Sequence, residues 1–81
     1  VYKTAWLIDN GQDASMAASM AKFYASEVCN EIAAKTVQIH GGYGFIKDYK
    51  IERMFRDCRV FTIYEGTSQV QQMVISGKLL K

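Results

Sequence analysis

Apolar positions recur at helical spacing along almost the whole chain. The longest run carries Met16, Met20, Phe23, Tyr24, Val28 and Ile32, with Ala17, Ala18, Ala21, Ala25, Ala33 and Ala34 between them. That period predicts one long helix from near Asp13 or Ser15 to about Ile39, roughly 25 residues or about 37 Å at 1.5 Å per residue. Asp13 or Ser15 can accept hydrogen bonds from the orphan amides of its first turn. Small residues beside a large apolar stripe let neighbouring helices approach closely, as in a bundle interior. Three shorter helices complete the pattern. The first runs from the start to about Asp9 and stops at Asp9-Asn10-Gly11, where glycine supplies a left-handed exit. Another, from about Ile51 to Phe61, places Ile51, Met54, Phe55, Cys58 and Phe61 on one side and its arginines largely on the other. The last starts at Thr67 or Ser68 and runs to about Leu80. Ser68-x-x-Gln71 reads there as a capping box, and Gly77 weakens the end by about 1 kcal/mol relative to alanine. There is no proline, and the breaks are glycines. With no period-2 stretch, internal repeat or low-complexity segment, the fold class is all-α, a segment of a helical bundle.

Size and charge narrow the function. A chain of 81 residues suffices for one small domain but is short for enclosing a cofactor and a substrate together. It is expected to need partners or to be a piece. The opening Val1-Tyr2-Lys3-Thr4-Ala5-Trp6-Leu7-Ile8 has the apolar density of a helix interior without a cap ahead of it, which suggests a truncation. With 10 basic and 8 acidic residues the net charge is +2, too weak for a nucleic-acid footprint. Lys47, Lys50, Arg53, Arg56 and Arg59 recur every third residue, but such steps drift by about 60° each around a helix and make no straight strip. Asp48, Glu52 and Asp57 interleave with them, as on a solvated, ion-paired surface. Cys29 and Cys58 stand at no metal or redox spacing, so a reducing compartment fits better than a disulfide framework or zinc site. No apolar run approaches the roughly 18 residues of a membrane span, and no signal-peptide pattern opens the chain, so it reads as soluble. His40, the single histidine, has no partner ligand and reads as a helix-terminal polar residue. Trp6 and the methionines Met16, Met20, Met54 and Met73 read as core packing.

Two turns carry candidate chemistry. Gly41-Gly42-Tyr43-Gly44 matches no phosphate-loop spacing; alone it is a helix stop whose bare backbone tolerates close approach. Glu65, just ahead of the last helix, suits the positive end of the helix dipole without any catalytic role. Taken together, however, Gln38-Ile39-His40-Gly41-Gly42-Tyr43-Gly44, then Arg56-Asp57, then Ile63-Tyr64-Glu65-Gly66-Thr67-Ser68-Gln69 resemble the C-terminal end of the acyl-CoA dehydrogenases. Asp9-Asn10-Gly11 and Ala21-Lys22-Phe23-Tyr24-Ala25-Ser26-Glu27 extend the resemblance to essentially the whole chain, nearest to short-chain or butyryl-CoA members. Lys50, Gln72 and Gly77 depart from the family pattern, where proline, arginine and arginine are common.

The resemblance implies a part of the family's C-terminal four-helix bundle, with the N-terminal helical and middle β domains lying outside this chain. It implies FAD-dependent α,β-dehydrogenation of a short-chain acyl-CoA within fatty-acid β-oxidation. Glu65 would be the base for the α-proton and flavin N5 the hydride acceptor, the fragment alone being inactive. A carboxylate serves as such a base when a dry pocket raises its pKa. Tyr64, Glu65 and Gly66 would contact substrate, the first as an apolar wall and the last as open space. The Glu65 amide would help hold the thioester carbonyl. Gln38, Gly41 and Gly42 would contact FAD bound by a neighbouring subunit; Thr67 and Gln69 would contact its adenosine or pyrophosphate, with capping and surface exposure as their plainer roles. Arg56 and Asp57 would pair with charges on other helices. The implied partners are the acyl-CoA, an electron-transfer flavoprotein and further copies in a homotetramer, in a bacterial cytoplasm or a mitochondrial matrix. Two other readings stay open: a non-catalytic helical oligomerisation module, and an enoyl-CoA reductase of the same family.

Overall fold

A computed structural model describes residues 1–80. It contains α1 (Tyr2–Asp9), α2 (Ser15–His40), α3 (Ile51–Asp57) and α4 (Ser68–Leu79), with 3-10 turns over Gly41–Gly44 and Cys58–Thr62. There is no strand among the described residues. The all-α expectation holds, and the helix limits fall within a residue or two of those read from periodicity, α3 excepted.

α2 is the axis on which everything else rests. Its start is arranged by Asp13, whose Oδ1 accepts from the Ser15 amide at 3.0 Å and from the Ser15 hydroxyl. These two bonds, the hydroxyl first, hold the Asp13 carboxyl below the usual carboxylate range. At the other end Gly41 takes φ 62° and ψ −138°, a conformation open to glycine and strained for other residues. The chain then folds back so closely that a Cβ on Gly44 would stand 2.6 Å from the Val37 carbonyl oxygen. Along α2 the buried residues are Ser19, Ser26 and Ala33, seven apart, which places them on one narrow seam. α3 returns along the C-terminal half of this helix and α4 along the N-terminal half. Ser68 lies against Glu27, and Lys78 is near enough to Asp13 to lower its pKa slightly.

The third predicted helix is α-helical only to Asp57. From Cys58 to Thr62 it tightens, and side chains claim two of its carbonyls, one from α2 and one from within the segment. Asn30 Nδ2 donates to the Cys58 carbonyl at 2.9 Å, and the Thr62 hydroxyl donates to the Arg59 carbonyl at 2.9 Å. The separation of apolar and arginine faces is also less clean than expected. Arg53 lines a groove with Ile51, Met54 and Phe61, while Phe55 sits beside Arg56 and Arg59. Arg56 pairs with Glu52 one turn back, at 2.9 Å, rather than with another helix, because four-residue spacing stacks the two on one face of α3.

Two further expectations are corrected. The cap of α4 is Thr67, whose hydroxyl accepts from the Val70 amide at 3.2 Å; Ser68 lies one residue inside the helix and gives its hydroxyl to Glu27, so the Ser68–Gln71 capping box does not form. Trp6 and Met73 are mostly exposed, and Met20 and Met54 about half. The interior consists of small residues instead: Ser19, Ser26, Ala33, Gly44, Cys58, Thr62 and Ser68.

Candidate functional site

The turn between the 3-10 segment and α4 is the most unusual backbone in the molecule. Glu65 has φ 54° and is the one non-glycine in the left-handed region among the described residues; Gly66 follows at φ 91°. A carboxylic residue in that region is uncommon and is held there by its surroundings. Three bonds do the holding. Gln71 Nε2 donates to the Glu65 carbonyl at 3.1 Å and the Gly66 carbonyl at 3.4 Å. Lys22 Nζ, from α2, donates to the Gly66 carbonyl at 2.6 Å. The Ser68 hydroxyl, donating to Glu27 Oε1 at 2.5 Å, ties the first turn of α4 to the same helix. Glycine at 66 is favoured by its φ of 91°, and a Cβ there would meet Gln71 Nε2 at 2.7 Å and displace that amide.

The Glu65 side chain is thereby presented outward. It is exposed, and no side chain among the described residues bonds its carboxylate. The dry surroundings that would tune a base are not supplied by this chain. Tyr64 beside it is half exposed and packs its ring at 6.0 Å from that of Phe61. The two rings, with Lys22, Ala25, Ser26 and Cys29, line a cleft of about 350 Å³.

The glycine turn at the far end of α2 is a separate place. Gly41 lies 14 residues beyond Glu27 on a continuous helix, about 21 Å away. One chain therefore does not bring Gln38, Gly41 and Gly42 together with Thr67 and Gln69. Gln38 and Gln69 are exposed, whereas Thr67 is engaged in capping. Backbone geometry accounts for Gly41, and packing against Val37 accounts for Gly44. Gly42 is different: it is not in the left-handed region, and a Cβ there would meet nothing within 4 Å. Bare backbone of this kind leaves room for a group approaching Gly42 from outside the chain.

Between α2 and α3 runs a larger apolar groove of about 800 Å³, lined by Ala25, Val28, Ile32, Met54 and Phe61 among others. Cys29 and Cys58 also line it, and both are free. Burial, with Cys29 alongside, pushes the Cys58 thiol up. No helix is long and apolar enough to cross a membrane, and no cluster of metal ligands occurs, among the described residues.

Residues 1–80 match the family model described as acyl-CoA dehydrogenase, C-terminal domain. The chain belongs to the acyl-CoA dehydrogenase family. The subunit CarC of the caffeyl-CoA reductase–Etf complex of Acetobacterium woodii is 78% identical over all of this chain and 21% of its own length. A 3-(aryl)acrylate reductase of Clostridium sporogenes is 59% identical over all of this chain and 22% of its own. The solved structure of butyryl-CoA dehydrogenase from Megasphaera elsdenii superposes with a TM-score of 0.96 at 41% identity, covering 99% of this chain and 21% of that one. The chain thus spans about a fifth of the length of these relatives.

The Tyr-Glu-Gly-Thr motif was readable from sequence; what holds it was not. Lys22 and Glu27 fall inside the stretch that carries the family resemblance, yet 44 and 41 residues separate them from their partners, and nothing in local spacing pairs them. Gln71 carried a signal, the apparent capping box, but its amide serves the carbonyls of the preceding turn instead.

Proposed function

We propose that this segment belongs to a longer flavoprotein that interconverts a saturated acyl-CoA and its α,β-unsaturated counterpart, with Glu65 handling the α-proton. The observation that carries the reading is the Glu65 turn: a carboxylate presented outward from a left-handed backbone that three separate hydrogen bonds maintain. In the dehydrogenation expected from the sequence, Glu65 takes the proton from the α-carbon as the β-hydride leaves. In the reverse direction a protonated Glu65 returns the proton to the α-carbon. FAD, when bound, supplies the hydride exchange at the β-carbon. Thr67 and Gln69 would hold it on the Glu65 side, and Gln38, Gly41 and Gly42 would touch the FAD of another subunit. The Glu65 amide would polarise the thioester carbonyl and so acidify the α-proton. Domains outside this chain would close over Glu65 and exclude water, which raises a carboxylate's pKa toward the range of an effective base.

A second reading, net reduction of an α,β-unsaturated thioester with an electron-transfer flavoprotein as partner, is favoured by the two relatives that are named as reductases. The same carboxylate serves both directions. In the intact flavoprotein, Glu65→Gln is expected to abolish flavin bleaching by a saturated acyl-CoA under anaerobic conditions while FAD stays bound. Bleaching at the unaltered rate would remove Glu65 from the mechanism.

A further inference from the structure

We propose that Lys22, acting with Gln71, is the positioning residue that aims Glu65 at the α-carbon. The inference rests on the reading of Glu65 as the group that moves the α-proton. Left to itself, a glutamate leaves the left-handed region for a commoner conformation. Rotation about its Cα–C bond would swing the Glu65 carbonyl, and Gln71 Nε2 fixes that carbonyl at 3.1 Å. Rotation at Gly66 would release the next peptide plane, and glycine offers no side-chain resistance. The lysine ammonium closes this second freedom at 2.6 Å, through a charge-assisted bond of the short, strong kind.

Lys22 is suited to the task by where it stands. It projects from the middle of α2, the longest helix, and lines the cleft beside Tyr64 and Phe61, where its stem is partly shielded from water. Five residues along, Glu27 grips Ser68. The turn that carries Glu65 is therefore held from one rigid helix on both sides of Thr67. Lys22 touches neither the carboxylate nor any reacting atom; it acts through the peptide that follows the base.

The test uses the full-length FAD-loaded enzyme with Lys22→Met, Lys22→Arg, Gln71→Leu and Glu65→Gln. Lys22→Met is expected to slow the limiting rate of flavin reduction at saturating acyl-CoA by about 10- to 100-fold, the scale of a misplaced catalytic group. Acyl-CoA affinity and FAD content should change less than about twofold, and the isotope effect from deuterium at the α-carbon should rise as proton transfer becomes limiting. Lys22→Arg, which keeps a cationic donor, should recover most of the rate, and Gln71→Leu should show the same signature as Lys22→Met. A normal limiting rate in Lys22→Met beside a dead Glu65→Gln overturns this proposal alone. So does a loss that follows FAD content with an unchanged isotope effect, since that marks a merely structural role. Wild-type reduction in Glu65→Gln would overturn the reading of the base as well.

Discussion

Glu65 combines two facts that are separately ordinary: an acidic side chain at a helix entrance and a left-handed backbone at a turn. The first was legible in the sequence and has a structural explanation in the helix dipole. The second was not, because Asn and Asp, not Glu, are the side chains that adopt this region most readily. The glycines divide in the same way. Their presence marks breaks, but only the coordinates separate Gly44, which packing demands, from Gly42, which no contact within the chain demands. This difference can be measured. Gly44→Ala is expected to cost about 1–3 kcal/mol, because the atom it meets is backbone and yields little. Gly42→Ala should leave the unfolding free energy of the FAD-free protein unchanged or raise it by up to about 1 kcal/mol. In the holoprotein the same alanine should weaken FAD binding if that face receives the cofactor of another subunit. Thermal unfolding with and without FAD checks both substitutions.

At the scale of elements, periodicity located α1, α2 and α4 well and misjudged what they bury. The large stripe of α2 was the visible signal, whereas the residues the helix buries fully are Ser19, Ser26 and Ala33. Small side chains are quiet in a hydrophobic pattern, yet they allow α3 and α4 to lie close. The end of the third helix was misread for a related reason. Asn30 reaches it from 28 residues away, and local propensity contains no trace of such a bond. The start of α4 is local chemistry, and its cap sits one residue earlier than the capping-box pattern suggested. Thr67→Ala should cost about 1 kcal/mol, within the usual range of about 0.5–2 for losing a threonine cap. A urea titration followed by circular dichroism measures it, and an unchanged midpoint would return the cap to Ser68. Acid should loosen the start of α2. The Asp13 carboxyl is lowered in the folded chain, so its contribution is present above the ordinary carboxylate pKa, near 4, and fades as pH falls below it.

The whole molecule is open along its length. Its extents are 49 × 25 × 18 Å and its radius of gyration is 15.9 Å, against about 12 Å for a compact chain of this length. The accessible surface of 6294 Å² exceeds the roughly 4,900 Å² typical of a folded monomer of this mass. Much of the excess is apolar, including Tyr2, Trp6, Tyr24 and Ile39. An exposed surface of this character marks faces that other structure covers, in keeping with relatives about five times as long. The Glu65 turn is open in the same way, its side chain exposed. The motif around Glu65 was legible because it is compact in the chain; the bonds from Lys22 and Gln71 that hold its backbone were not. The most direct test of the central claim is the rate at which the intact flavoprotein exchanges the α-protons of a bound saturated acyl-CoA with deuterated water, followed by mass spectrometry. The wild-type protein should exchange them readily, and Glu65→Gln should slow exchange by at least about 100-fold with FAD still bound. Exchange at the wild-type rate in that variant would contradict Glu65 as the group that moves the α-proton.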